Sequence, residues 1–297
     1  MPKVYDCFPY DGEEILDLRL RLLWDVVDWF VIGEAELTHA GRPKALRFDK
    51  QRHAWAMPKI RYLHMDNAVF ARCKGNWERE NLQRIRLADG CADAAPGDVV
   101  MVSDVDEIPN PARVAGPGNH PGKGIRVFDQ LLFYFYGDYL CTTAPVWKGT
   151  RAVSAAALAN ATLQDIRTRD KETGLARAAV GDGGWHFSYL GGIDRIIEKI
   201  ERTVHTEVDV PRFKNRAQIE ARIRAGEDIY FRGASYGRAT GYELGYPVVK
   251  DWFEAHPGYL SPREVPPVGD AAAVARRHRG AFRFLRKIKR AWDRLAG

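Results

Sequence analysis

The segment Val99-Val-Met-Val-Ser-Asp104-Val-Asp106-Glu107 joins an apolar strand to an acidic loop. Its four apolar residues predict a strand buried on both faces, as in a parallel sheet. Two carboxylates follow where such a sheet opens to solvent. Magnesium and manganese prefer oxygen ligands and often bridge to a diphosphate, so Asp104 and Asp106 are candidate ligands of such an ion. The alternative is that both aspartates only begin a loop, with Glu107 and Pro109 ending the strand.

Strand and helix signals alternate upstream of this segment. The apolar patterns predict strands at Lys3–Pro9, Trp29–Ile32 and Lys59–His64, and helices at Glu13–Val27 and Asn76–Asp89, the second with Asn76 as its N-cap. Such alternation predicts an α/β fold with an open, mostly parallel sheet and crossover helices. Ligands of these sheets bind beyond the carboxyl ends of the strands.

The rest of the chain divides into three parts. Ile125–Tyr139 is rich in strand formers, Lys148–Ala161 is ambiguous, and Gly192–Thr206 and Arg216–Gly226 have helical patterns. Four prolines between residues 257 and 267 predict an extended connector. We therefore predict a main domain over residues 1–256, a Pro-rich connector over 257–270 and a terminal helix over 271–297.

The positive charge is concentrated in the terminal helix. The chain carries a net charge of +6, but nine basic residues and one acid lie from Arg276 onward, which leaves −2 for the rest. An enzyme acting on nucleic acid needs its basic residues in the main domain, so we expect no nucleic-acid partner. Apolar residues recur on one face of the tail, at Phe282, Leu285, Ile288, Trp292 and Leu295. This pattern predicts an amphipathic helix over residues 275–295 on an anionic membrane surface; the alternative is a helix packed on the main domain.

The composition is that of a globular protein of 297 residues, 45% of them apolar. No apolar run reaches the roughly 20 residues of a transmembrane helix, and the amino terminus lacks the apolar region of a signal peptide. The four cysteines include no closely spaced pair, which favours reduced, mostly buried thiols. We therefore expect a cytoplasmic protein, peripheral on the inner face of the membrane through its tail.

Two further groups of residues could take part in chemistry. In Asp182-Gly-Gly-Trp-His186-Phe-Ser-Tyr, the imidazole of His186 could complete a metal site, or it could be a hydrogen-bonded core histidine. Asp182 could be a base or a turn residue. Glu34 and Thr38 follow the second strand, where an acid can accept hydrogen bonds from ribose hydroxyls; the alternative is a solvated loop. The sequence lacks the glycine-rich motifs of nicotinamide and P-loop proteins.

Several blocks together resemble glycosyltransferase family 17, the β-1,4-mannosyl-glycoprotein β-1,4-N-acetylglucosaminyltransferase family. The resemblance covers roughly residues 3 to 250. Its blocks are Tyr5-Asp-Cys-Phe-Pro-Tyr, Glu14-Ile-Leu-Asp-Leu-Arg-Leu, Val27-Asp-Trp-Phe-Val-Ile-Gly-Glu, Thr38-His-Ala-Gly-Arg-Pro-Lys-Ala-Leu-Arg-Phe, Trp77-Glu-Arg-Glu-Asn-Leu-Gln-Arg84, Ser103-Asp-Val-Asp-Glu-Ile-Pro and Gly184-Trp-His-Phe-Ser. One departure is Gly33-Glu34-Ala35, where the family usually has Val-Glu-Ser.

The resemblance implies a GT-A (Rossmann-like) transferase that inverts the anomeric carbon of a UDP-sugar. It implies that Asp104 and Asp106 bind Mn²⁺ or Mg²⁺ and the donor diphosphate, with His186 on the opposite side. Glu34 and Thr38 would then lie near the nucleoside, and Arg84 near the uracil or phosphates. Since the attacking acceptor hydroxyl must lose a proton, one carboxylate has to act as base. Asp182 is the preferred candidate and Glu107 the second.

The function expected from these observations is transfer of a sugar, N-acetylglucosamine in the first place, from a UDP donor to a hydroxyl of a glycan. Because the sequence offers no signal or anchor, a surface polysaccharide or lipid-linked glycan is the expected acceptor. A sugar-nucleotide pyrophosphorylase is an alternative, although Lys3–Glu14 lacks the glycine-rich loop that it needs. A non-enzymatic membrane- or nucleic-acid-binding protein is another, which explains the tail but not the acidic strand ends.

Overall fold

The structure is a computed structural model that describes residues 2–114, 119–169, 172–202 and 206–278. Its strands are β1 (Val4–Pro9), β2 (Trp29–Ala35), β3 (Ile60–Met65), β4 (Val99–Val102), β5 (Glu107–Pro109), β6 (Ile125–Tyr134), β7 (Tyr139–Cys141), β8 (Val146–Ser154), β9 (Arg177–Val180), β10 (Gly184–Ser188), β11 (Tyr236–Thr240) and β12 (Pro267–Asp270). Its helices are α1 (Ile15–Leu23), α2 (Asn76–Arg86), α3 (Pro111–Val114), α4 (Leu163–Thr168), α5 (Gly192–Arg202), α6 (Arg216–Arg224) and α7 (Pro247–Ala255). Residues 271–278 are also helical.

The described residues form two compact units. The first takes the chain up to Gln130, Lys148–His186 and Ile197–Val210. The second takes Leu131–Trp147, Phe187–Ile196 and the residues from Pro211 onward. Every predicted site residue belongs to the first unit.

The first unit is built on a mostly parallel sheet. Strands β3, β2, β1 and β4 lie side by side in that order and are parallel, and β8 follows antiparallel to β4. The α/β fold and mostly parallel sheet expected from the sequence are thereby confirmed. Because β1, β2 and β4 point the same way, the segments that follow them meet along one border of the sheet, which we name the carboxyl edge.

Apolar side chains fix the register of this sheet. Strand β4 is buried along its whole length, as its four apolar residues predict. Helix α1 buries Leu16, Leu18, Leu20 and Leu23 among others. A core cluster also joins the sheet to α2 and α4, with Val31 and Val100 on strands and Leu163 and Ile166 on α4. All four cysteines are free thiols; Cys7, Cys91 and Cys141 are buried.

Several predicted boundaries differ from the structure. Helix α1 ends at Leu23 rather than Val27, and the Nζ of Lys59 caps this end by binding the backbone oxygens of Trp24 and Val27. The N-cap of α2 is Gly75, not Asn76, and the Oδ1 of Asn76 instead accepts a hydrogen bond from Arg79. The ambiguous segment at Lys148–Ala161 contains most of β8 followed by a 3₁₀ turn at Ala155–Ala159.

The second unit contains the end of β6, β7, β11, β12, α6 and α7. Strand β11 pairs antiparallel with β7 and parallel with β12. Residues 257–270, expected to be an extended connector, include a 3₁₀ turn at Pro257–Tyr259 and strand β12, and Val265 among them is buried. Of the predicted terminal helix, residues 271–278 are helical, and the basic stretch from Arg279 lies outside the described residues.

Candidate active site

The acidic loop after β4 is held by a fully buried ion pair. Arg19 on α1 binds Asp6 on β1 with two hydrogen bonds, of 2.6 and 2.8 Å, and both side chains are 0% exposed. The same guanidinium donates to the backbone oxygens of Asp104, Val105 and Glu107 at 2.9–3.1 Å. A planar guanidinium with five donors suits this task, because it can satisfy several acceptors in fixed directions. Arg19 therefore fixes the backbone of the loop.

Asp104 lies between two arginines. Its Oδ1 is 3.0 Å from Arg84 on α2, and its Oδ2 is 3.5 Å from Arg167 on α4. Arg84 is itself held by the Oε1 of Gln164 at 2.6 Å. Burial would raise the pKa of Asp104, but the two guanidiniums outweigh that effect and hold its pKa well below the usual range. The position between Arg84 and Arg167 thus favours the charged form of Asp104.

Asp106 is buried and faces a different pair of side chains. Its Oδ2 is 3.0 Å from the Nζ of Lys199 on α5, and its Oδ1 is 3.6 Å from the Nε2 of His186 on β10. The register of β10 against β5 places His186 opposite Glu107 and so brings it beside Asp106. The sequence prediction placed Asp106 and His186 in one site, and the structure brings them together.

The donor set at this point fits a divalent cation that also binds a substrate. Across the described ranges, no three His, Cys, Asp or Glu side chains gather into a group that could hold a metal by themselves. A carboxylate and an imidazole nonetheless suit Mn²⁺, and Mg²⁺ ions in phosphate-transferring sites often take only one or two protein ligands, completed by water and phosphate oxygens. Asp106 and His186 are the residues that would hold the ion, while the oxygens of Asp104 face guanidiniums.

The two predicted base candidates differ in access. Glu107 is 0% exposed, contacts Arg167 with one oxygen and accepts from the backbone N–H of Asp104 at 3.2 Å with the other. Asp182 is 67% exposed and pairs with the exposed Arg113 at 3.3 Å. Its backbone oxygen binds Asn110, so it lies at the end of the β5–β10 pair away from Asp106. Only Asp182 of these two is open to an incoming hydroxyl.

Glu34 and Thr38 organise the loop after β2. The buried Glu34 accepts hydrogen bonds from the backbone N–H groups of Arg47 and Phe48 and from the hydroxyl of Tyr62, at 2.6–3.1 Å. Thr38 receives the N–H of Arg42 on its hydroxyl at 3.1 Å. Gly33 explains the departure from the family pattern, since a Cβ there would lie 2.6 Å from Leu87 and 2.9 Å from Met65. These residues shape the carboxyl edge beside β2.

Sequence reasoning missed several groups at the carboxyl edge. Asp11, just after β1, pairs with Lys44 at 2.8 Å and with Arg202 on α5 at 2.7 Å. Burial and the neighbouring Asp11 carboxylate raise the pKa of Glu13 to about 7, although Lys199 acts in the opposite direction.

Arg19 and Asp6 had a sequence signal, because each is a charged residue inside an apolar segment. Arg167 and Lys199 carried no such sequence signal.

Comparison with known proteins adds the family to this geometry. The sequence profile of glycosyltransferase family 17 matches residues 1–232. The chain belongs to glycosyltransferase family 17. That assignment confirms the resemblance carried by the seven sequence blocks, and it identifies the protein as a glycosyltransferase, an enzyme that requires a sugar donor and an acceptor. It decides against the pyrophosphorylase and the non-enzymatic alternatives.

Individual relatives of this family 17 glycosyltransferase match a smaller part of it. The β-1,4-mannosyl-glycoprotein 4-β-N-acetylglucosaminyltransferases of Homo sapiens and Rattus norvegicus are each 31% identical over 104 residues, which are 32% of this chain and 20% and 19% of theirs. The match thus spans about a fifth of the length of these curated relatives. Among solved structures, a 4-diphosphocytidyl-2C-methyl-D-erythritol synthase aligns with a TM-score of 0.38 at 15% identity, over 61% of this chain and 90% of that one.

Proposed function

We propose that this enzyme transfers N-acetylglucosamine from a UDP donor to a hydroxyl of a glycan, with inversion, in a GT-A type domain. The observation that carries the proposal is the arrangement at the carboxyl edge: Asp106 and His186 as a paired carboxylate and imidazole, with Arg84 and Arg167 beside Asp104. The parallel strands ending at this border, in an enzyme of a sugar-transferring family, support a nucleotide-sugar site there. The names of the relatives support the choice of sugar.

The charges at the site match the needs of the reaction. As the bond between the sugar C1 and the β-phosphate oxygen breaks, the departing UDP gains negative charge. Arg84 and Arg167 are held beside Asp104 by Gln164 and Glu107, so their positive charge is fixed close to the site before the donor binds. Mn²⁺ or Mg²⁺ held by Asp106 and His186 would add positive charge at the leaving diphosphate.

The acceptor side of the reaction needs a base. The acceptor oxygen attacks C1 from the face opposite the diphosphate, and its proton passes to a carboxylate as the new C–O bond forms. We assign this role to Asp182, because it is accessible where Glu107 is not. Since Asp182 lies at the end of the β5–β10 pair away from Asp106, the assignment requires the donor sugar to extend from the diphosphate along β10 toward Asp182. Glu107 instead positions the loop, through its contacts with Arg167 and with the N–H of Asp104.

A panel of donors tests the proposal. Purified protein is incubated with UDP-N-acetylglucosamine, UDP-glucose, UDP-galactose or GDP-mannose, with Mn²⁺ or with EDTA, and release of the nucleotide is followed. The proposal requires release of UDP from UDP-N-acetylglucosamine, faster with Mn²⁺ and faster than from the other donors. Preference for GDP-mannose, or equal release with EDTA, would overturn it.

The acceptor and its location extend the proposal to the carboxyl-terminal tail. In the part of the chain that the structure describes, no helix combines the length and the apolar character needed to cross a membrane. We propose that residues 275–295 lie on the inner face of an anionic membrane and present the enzyme to a lipid-linked or surface glycan. Flotation with anionic liposomes should carry the full chain and not a chain ending at Gly269. Equal flotation of both would overturn this part of the proposal.

A further inference from the structure

The buried carboxylate of Asp106 already has a cation at bonding distance. The Nζ of Lys199 lies 3.0 Å from its Oδ2, on the opposite oxygen from the one that faces His186. Lys199 is contributed by the last turns of α5, more than 90 residues away along the chain. Its side chain is 38% exposed, so the ammonium reaches the site from the solvent side.

The neighbours of Lys199 on the helix are anchored to other parts of the carboxyl edge. Glu198 binds Arg47 at 2.6 Å, and Arg202 binds Asp11 at 2.7 Å as well as Glu198 at 2.6 Å. These ion pairs hold the backbone of α5 in place. The lysine side chain has a flexible four-carbon stem, so its ammonium can move while the helix stays fixed.

A divalent cation bound to Asp106 and His186 would meet this ammonium. Both are positive and both are drawn to the same buried carboxylate, so each weakens the binding of the other. A diphosphate changes the balance, because it offers new oxygens to the ammonium and to the metal at once. The ammonium and the metal ion, which repel each other in the free enzyme, are then both attracted to the diphosphate of the donor.

We propose that Lys199 is the counter-ion of Asp106 in the free enzyme. When metal and nucleotide bind together, its ammonium leaves Asp106 and pairs with the donor diphosphate instead. This inference rests on the proposed function. Lys199 thereby makes the metal site weak without donor and strong with it, so that metal and UDP bind as a coupled pair. In the reaction the same ammonium lies at the leaving phosphate.

The test is the affinity for Mn²⁺ alone, measured by the electron paramagnetic resonance signal of the free ion, in the full-length chain. Lys199→Met should bind Mn²⁺ about tenfold more tightly than wild type, while its gain in affinity on adding UDP should be smaller than the wild-type gain. Lys199→Arg keeps the charge and should resemble wild type. Arg86→Met removes an exposed positive charge at the end of α2 that pairs with Asp89 and does not anchor α5, so it should change Mn²⁺ affinity less than about twofold.

The outcomes separate this inference from the function on which it rests. If wild type with UDP binds Mn²⁺ but Lys199→Met binds the ion alone no more tightly than wild type, the role of Lys199 is overturned and the proposed function stands. Equal tightening in Arg86→Met would also overturn it. If no variant binds Mn²⁺ with or without UDP, both fail. Thermal unfolding checks that Lys199→Met is folded. If Lys199→Met is unstable, Lys199→Gln is used in its place.

Discussion

Arg19 and Asp6 form a bidentate ion pair from which water is fully excluded, and this pair holds the loop that carries Asp104 and Asp106. A buried pair of this kind is costly to form but far more costly to break, because the remaining charge has no partner. Here the guanidinium also satisfies three backbone oxygens of the loop. Its contribution is therefore to stability and to the geometry of the site together.

Replacing Arg19 by Met should lower the free energy of unfolding by about 3–5 kcal/mol, since it leaves Asp6 buried and unpaired. Urea unfolding measures the change. Arg21→Met is the matched control on the same helix. Arg21 is half exposed, pairs with Asp17 and lies over the ring of Trp55, so its loss should cost less than about 1 kcal/mol. Similar losses in both variants would show that the buried pair has no special role.

Substitutions of Asp104 and of Asp106 should have different effects on the affinity for Mn²⁺. Asp104 faces two guanidiniums, whereas Asp106 faces His186. In the presence of UDP, Asp106→Asn should weaken Mn²⁺ binding by about 30-fold or more and Asp104→Asn by less than about threefold. Titration calorimetry measures both. The reverse order of the two effects would place the metal at Asp104.

The assignment of the base predicts a difference between two carboxylates. Asp182→Asn should lower kcat by about 100-fold or more while the Kd for UDP changes less than about twofold, because the loss is confined to proton transfer. Glu107→Gln should instead lower thermal stability, since it breaks a buried contact with Arg167. A normal kcat in Asp182→Asn, with full loss of kcat in a folded Glu107→Gln, would reverse the roles.

Glu13 should give the metal-free enzyme a pH-dependent stability. Its pKa rises from 4.5 to about 7 on folding, so the folded state favours the protonated form. That preference contributes fully below pH 4.5 and is lost as the pH rises through 7. Glu13→Gln removes the penalty, and its stability relative to wild type should increase by about 1–2 kcal/mol between pH 5 and pH 8.

Thermal and urea unfolding at the two pH values measure this difference. Glu14→Gln serves as the control, since Glu14 is the exposed neighbour of Glu13. Because Glu14 is exposed, its replacement should change the free energy of unfolding by less than about 0.5 kcal/mol. If the stability of this control relative to wild type changes with pH as much as that of Glu13→Gln, the partly buried position of Glu13 beside Asp11 is not the cause.

The sequence predicted the parts of the molecule that depend on local pattern. Four apolar residues of β4 followed by Asp104 and Asp106 indicated both the buried strand and the site at its end. The histidine of β10 was placed in the same site through the family resemblance. The buried strand is confirmed. The pairing of β10 with β5 places His186 beside Asp106, while the metal site that these residues were predicted to form stays a prediction.

The remaining parts depend on contacts between distant segments. The role of Glu34 could not be read from its position, because its partners at Arg47 and Phe48 lie in a loop of irregular structure. Lys199 reaches Asp106 across more than 90 residues, and no periodicity in α5 indicates that approach. The predicted end of α1 was wrong, and the residue that caps its actual end, Lys59, comes from a separate segment.

The central claim is that Asp106, held with His186 at the end of β4, supports transfer from a UDP-sugar. The most direct measurement is the rate of UDP formation from UDP-N-acetylglucosamine with Mn²⁺ in wild type, in Asp106→Asn and in Asp89→Asn. Asp89 is the surface control; it is exposed and pairs with Arg86 at the end of α2. The account predicts a fall of about 100-fold or more in Asp106→Asn and a wild-type rate in Asp89→Asn. UDP formation at the wild-type rate in a folded Asp106→Asn would contradict it.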